Sequence, residues 1–171
     1  MNHDQSLATG LTSPSLATPR MSAVLPGLPV SAPTQSFPRL LWVDDSRMLL
    51  SLYQSVFQGL GFEVLATSSP AEALQHLSSH DVNLAILDYD MPEMDGGALA
   101  SMIKDQCPML PVIIYSGSAS IPQVARQWVD AVCAKAAPRG ELLAMIEQLS
   151  HNARQKQGNN RLRTFAPSSN H

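Results

Sequence analysis

Apolar residues fall along this chain in short unbroken runs, separated by stretches in which they recur at helical spacing. The run Leu40–Val43 in RLLWVDD ends at the acidic pair Asp44–Asp45. Asn83–Asp88 ends its run at Asp88, Pro111–Tyr115 (PVIIY) leads into Ser116-Gly117, and Ala131–Ala134 leads into Lys135. Phe62–Ala66 is a fifth, shorter run. A strand covered on both faces reads as such a continuous apolar run. After the first run, Leu49, Leu52, Tyr53, Val56, Phe57 and Leu60 keep helical spacing, with Ser46 as N-cap and Gly59 and Gly61 as the stop. Ser69-Pro70-Ala71-Glu72 opens a second helix with a cap, a proline at the first helical position and a capping box, and Ala73, Leu74 and Leu77 form its buried stripe. A third helix is predicted from Gly97 to about Asp105, with Leu99, Met102 and Ile103 inward. A short one follows from about Ile121 to Val129. A last one runs from about Pro138 into the 150s, with Leu142, Leu143, Ile146 and Leu149 on one face.

Five strands alternating with five helices predict an α/β fold with a parallel sheet and helices on both faces. Right-handed crossovers leave few topologies, and the flavodoxin-like doubly wound order 2-1-3-4-5 is the one expected. Residues 1–36 are rich in Ser, Thr, Ala and Pro and hold no period, so they are expected to be a disordered extension. The expected domain is 37–155, with 156–171 a disordered basic tail.

Charge sharpens this division. Residues 37–150 carry thirteen acidic and six basic side chains, whereas Arg154, Lys156, Arg161 and Arg163 make the end basic. An acidic body argues against nucleic-acid binding, which needs clustered Lys and Arg, so no DNA contact is expected. Cys107 and Cys133 have neither metal spacing nor a disulfide framework, so a reducing compartment is the default. No apolar run reaches the length of a membrane span, and no signal-peptide pattern opens the chain. A cytoplasmic protein without membrane contact is the expectation.

The polar residues that end the strands carry the candidate chemistry. In the order 2-1-3-4-5 the first and third strands are neighbours, so Asp44, Asp45 and Asp88 fall in one cluster at the carboxyl rim, where open α/β sheets bind ligands. Three carboxylates in one place repel one another, and the arrangement makes sense around a hard divalent cation such as Mg²⁺. Ser116 adds a hydroxyl and Lys135 a cation. A carboxylate nucleophile, a metal, a lysine and a hydroxyl together describe an aspartyl-phosphate site.

From about residue 38 to 150 the chain resembles the receiver domain of two-component response regulators, the stand-alone chemotaxis-regulator kind included. The motifs are LWVDDS with Asp44 and Asp45, LAILDYDMPEMDG with Asp88, IIYSGS with Ser116, and AVCAK with Lys135. The resemblance implies that Asp88 is the phosphoacceptor, taking a phosphoryl group from a phosphohistidine of a sensor kinase or histidine phosphotransfer protein. It implies that Asp45 and Asp88 bind Mg²⁺ directly, Asp44 through a water, and Asp90 through its backbone carbonyl. Lys135 would pair with the phosphoryl oxygens, and Ser116 would donate a hydrogen bond to them. Asp90 and Ser118 would flank the path of the attacking water. The pattern departs in three places. The family's proline after the lysine is Ala136 here, with Pro138 two residues on. The family's aromatic switch position, three before the lysine, is Val132, with Trp128 and Tyr115 as the nearby aromatics. The segment from Ser116 to Lys135 is short, which predicts an abbreviated fourth helix.

Residues 150–171 are too few for another core, so the expected output is protein–protein contact with a downstream partner, with the fourth and last helices available as a symmetric dimer face. Two other classes fit parts of the pattern. A pseudo-receiver would be an interaction module that never takes phosphate. A haloacid dehalogenase-like phosphatase also uses a DxD after an apolar strand, here Asp88-Tyr89-Asp90, but it places its second acidic pair after the lysine, where only Glu141 and Glu147 follow.

Overall fold

The computed structural model describes residues 38–118 and 120–164. The expected N-terminal extension and the last residues of the basic tail lie outside the described residues. The element order is β1 (Arg39–Val43), α1 (Arg47–Gly59), β2 (Glu63–Thr67), α2 (Pro70–Ser79), β3 (Leu84–Leu87), α3 (Gly96–Gln106), β4 (Val112–Ser116), α4 (Gln123–Arg126), β5 (Ala131–Ala134) and α5 (Arg139–Thr164). The strands form one parallel sheet in the order β2-β1-β3-β4-β5, the topology the pattern predicts.

Alternation along the strands divides the core in two. Leu40, Trp42, Ile86, Ile113, Tyr115 and Cys133 face α1 and α5, meeting Leu50, Phe57, Leu142 and Ile146. Leu41, Val43, Ala85, Leu87 and Val112 face the other way, meeting Ala73 of α2 and Leu99, Ala100 and Ile103 of α3. Trp42 anchors the first face. Its ring stacks on Tyr53 with centroids 4.5 Å apart and meets the edge of Tyr115 at 5.9 Å. Such aromatic pairs contribute about 0.5–1.5 kcal/mol each beyond the area they bury.

Several local expectations change. On α1 the buried positions are Leu50 and Phe57, while Leu52 and, at the C-cap, Leu60 are half exposed. Tyr53, Val56 and Phe57 of the expected stripe do pack in the core, and Leu50 joins them at i, i+3, i+7 spacing in place of Leu49 and Leu52, so the stripe differs mainly at its ends. Met102, expected inward on α3, is 42 % exposed. Ser69 caps α2 as expected, but Glu72 does not reach back to its amide. Thr67 Oγ1 accepts the Ser69 N–H at 3.0 Å and donates its own hydroxyl to Glu72 Oε2 at 2.5 Å. α4 is four residues long, as the short segment predicts. α5 continues to Thr164, past the expected boundary at 155, so residues 156–164 are helical rather than a structureless tail. No proline interrupts that stretch, and the single Gly158 costs a helix only about 1 kcal/mol relative to Ala.

Candidate functional site

Register brings the chemistry together. Val43 pairs with Leu87, so the residues that follow them, Asp44 and Asp88, leave the sheet side by side. The Asp88 amide still donates to Val43 O at 2.8 Å, which fixes the strand end. On the far side Ser116 pairs with Ala134, and the Lys135 amide donates to Ser116 O at 2.8 Å. The loop after β3 then folds back on itself. Gly96 N donates to Tyr89 O, and a Cβ at Gly96 would sit 2.2 Å from Asp88 O, which leaves glycine as the residue that fits there. Asp95 caps α3 by accepting the Ala98 N–H at 2.8 Å.

The side chains converge as the strand ends require. One carboxylate oxygen from each of Asp44, Asp45 and Asp88 lies within 4.8 Å of the others. Asp44 and Asp88 are buried and Asp45 is exposed at the mouth. Lys135 reaches between the two buried acids, 2.7 Å from Asp44 Oδ2 and 3.0 Å from Asp88 Oδ2. Burial pulls the Lys135 ammonium down, but its hydrogen bonds to Asp44 and Asp88 outweigh that and hold it above its ordinary value. Asp44 also accepts the Ser46 N–H at 2.9 Å, and Ser46 in turn caps α1. Asp88 Oδ1 is buried without a hydrogen-bond partner among the described residues.

These features fit a hard divalent cation. Three carboxylates face one ammonium, so negative charge is left over, and an unpartnered buried carboxylate oxygen is costly unless something cationic meets it. The donor set is all oxygen, as Mg²⁺ prefers.

The response regulator receiver domain model matches residues 40–147. The chain belongs to the response regulator receiver family. Among its relatives, the transcriptional regulatory protein GlrR of Escherichia coli is 41 % identical over 83 residues, covering 48 % of this chain and 19 % of that protein. The DNA-binding transcriptional regulator NtrC of Escherichia coli is 29 % identical over 126 residues, covering 71 % of this chain and 27 % of that protein. The chain thus spans about a fifth to a quarter of the length of the curated relatives it matches. Among solved structures, a CheY-like receiver domain protein from Methanospirillum hungatei superposes with a TM-score of 0.65 at 25 % identity, covering 71 % of this chain and 99 % of that one. The response regulator TrrA of Thermotoga maritima, solved in complex with Mg²⁺–BeF, gives 0.63 at 24 % identity, covering 66 % of this chain and 99 % of that one, and shares the fold.

In this receiver the remaining site residues make contacts beyond those the resemblance implies. Lys135 is closer to Asp44 than to Asp88, so Asp44 is its ion-pair partner as well as a candidate metal ligand. Ser116 donates its hydroxyl to Asp90 Oδ2 at 3.2 Å, and the Ser118 hydroxyl donates to the same oxygen. Neither bond has a signature in the sequence beyond the presence of the three residues. In place of the proline after the lysine, the Ala137 amide donates to Ala134 O at 2.9 Å and closes a tight turn, and Pro138 precedes α5. Val132 packs with Ile114, Ile121 and Ala125 on the α4 side. Tyr115 lies on the opposite face against Trp42 and Tyr53, and Trp128 packs against the α2–α3 core, so neither ring stands in for the missing aromatic. Among the described residues no helix is long and apolar enough to cross a membrane.

Proposed function

We propose that this receiver accepts a phosphoryl group on Asp88 from a phosphohistidine of a sensor kinase or histidine phosphotransfer protein, and signals by protein contact rather than by turning over a substrate. The observation that carries this reading is Asp88 itself: a buried carboxylate with one oxygen held by Lys135 and the other unpartnered at a three-carboxylate cluster. One Asp88 carboxylate oxygen attacks phosphorus, the P–N bond breaks, its electron pair returns to the imidazole, and an acyl phosphate remains on the chain. Asp45 and Asp88 would hold Mg²⁺ directly, with Asp44 acting through a water and Asp90 through its backbone carbonyl. The cation would neutralise charge on the phosphoryl oxygens. Lys135, held between Asp44 and Asp88, would pair with the phosphoryl oxygens. The unit proposed for this function is 37–155, acting in the cytoplasm on a downstream protein.

The test is intact mass after incubation with acetyl phosphate and Mg²⁺. Wild type gains one phosphoryl group, Asp88→Asn gains none, and EDTA abolishes the gain. A wild type that stays unmodified, under conditions that phosphorylate a known receiver, overturns the proposal in favour of an interaction module that takes no phosphate. Release of phosphate from small phosphomonoesters would instead point to a phosphatase.

A further inference from the structure

The β4–α4 loop is tied by a carboxylate that the phosphoacceptor chemistry does not require. Asp90 Oδ2 accepts the Ser116 hydroxyl at 3.2 Å and also the Ser118 hydroxyl. Ser116 Oγ in turn accepts the Ser118 N–H at 2.9 Å. Two hydroxyls from the end of β4 thus converge on one oxygen of the β3–α3 loop, and the Ser118 amide ties the two serines to each other. Beyond them α4 has four residues and its N-cap, Pro122, makes no side-chain capping bond, so the helix does little to hold the loop itself.

We propose that Asp90 is a latch that holds Ser116 and the β4–α4 loop in their resting position, and that a phosphoryl group on Asp88 must take the Ser116 proton away from it. This rests on the function proposed above. A serine hydroxyl has one proton to donate, so Ser116 cannot serve Asp90 and a phosphoryl oxygen at once. Bonds to an ionised carboxylate are stronger than neutral ones, which makes Asp90 a real competitor. Releasing the latch is then part of the free energy of activation, and its removal brings the unmodified chain closer to the activated loop. Asp90 is a positioning residue in this scheme, acting through Ser116.

Asp90→Ala, Ser118→Ala, Ser116→Ala and the Asp90→Ala/Ser116→Ala double variant of the full chain separate the latch from simple charge repulsion. Two quantities are read: amide hydrogen exchange at Ser118 in the metal-free protein, and affinity for beryllofluoride with Mg²⁺, followed by amide chemical shifts. With a latch, the residue 118 amide, read as protection relative to its intrinsic exchange rate, opens about fivefold more in Asp90→Ala and detectably more in Ser118→Ala, the scale of one net hydrogen bond. Beryllofluoride then binds more tightly to both variants, and much of the gain from Asp90→Ala disappears when Ser116 is already alanine. If the gain is the same in both backgrounds and Ser118→Ala changes nothing, Asp90 acts by charge alone and the latch is wrong. If wild type takes up no beryllofluoride, the phosphoacceptor reading fails. The exchange comparison still decides the latch, since unchanged exchange in both single variants overturns it.

Discussion

At the scale of the residue, the site is an unbalanced set of charges. Asp44 and Asp88 share the Lys135 ammonium, while Asp45 stands exposed, with no ion pair among the described residues, close to both. Two consequences follow for stability. Mg²⁺ at tenfold its dissociation constant is expected to raise the unfolding free energy of wild type by about 1.4 kcal/mol, by mass action. Asp45→Asn removes a like charge and a proposed Mg²⁺ ligand together. It is expected to stabilise the metal-free chain by about 0.5 kcal/mol, the scale of an exposed charge contact, and to lose most of the Mg²⁺ response. Urea titrations with and without EDTA check both. A variant that is less stable without metal, or that keeps the full Mg²⁺ increment, contradicts the cluster as a cation site.

At the scale of the element, two glycines make opposite predictions. A Cβ at Gly96 would meet the Asp88 carbonyl at 2.2 Å, and that atom is backbone at the end of a buried strand. Gly96→Ala is therefore expected to cost about 1–3 kcal/mol and, on the function proposed above, to slow phosphoryl uptake by displacing the Asp88 peptide. A Cβ at Gly59, in the last turn of α1, meets nothing within 4 Å, and Gly59→Ala is expected to stabilise by about 0.5–1 kcal/mol. Thermal unfolding of the two variants gives shifts of opposite sign if this is right. The same scale marks how far the sequence could be read. Strand order and the residues at each strand end were legible because continuous apolar runs and parallel crossovers leave little freedom. The first turns of the α1 stripe were not, because Leu49, Leu50 and Leu52 are equally apolar and only packing into the cluster around Trp42 selects Leu50. Glu72 matched a capping-box spacing, yet Thr67, five residues earlier and on another element, offered it a nearer proton. The Ser116–Asp90 bond spans two loops, and no local pattern encodes a side-chain choice made across that gap.

At the scale of the whole molecule, the sheet divides two cores, and the two cysteines sample it differently. Cys133 is 1 % exposed beneath α1 and α5, and burial, with the charge of Glu141 adding to it, pushes its thiol above the ordinary value. Cys107 is half-buried at the end of α3. Since the thiolate is the reactive form, iodoacetamide at pH 8 is expected to modify Cys107 in the native protein, and Cys133 only at the rate of global unfolding. Peptide mass mapping over a urea series reads the two rates. Equal rates in native buffer would mean that the α1–α5 core opens locally.

The valine at 132 has a consequence for how this molecule can be observed. A benzene ring in that place could turn and so report a distant event by its own reorientation. An isopropyl group is nearly the same shape whichever way it faces. Any message leaving the rim by that wall would therefore travel as a shift of main-chain atoms, and backbone amide resonances, rather than tyrosine light, are the place to watch for it.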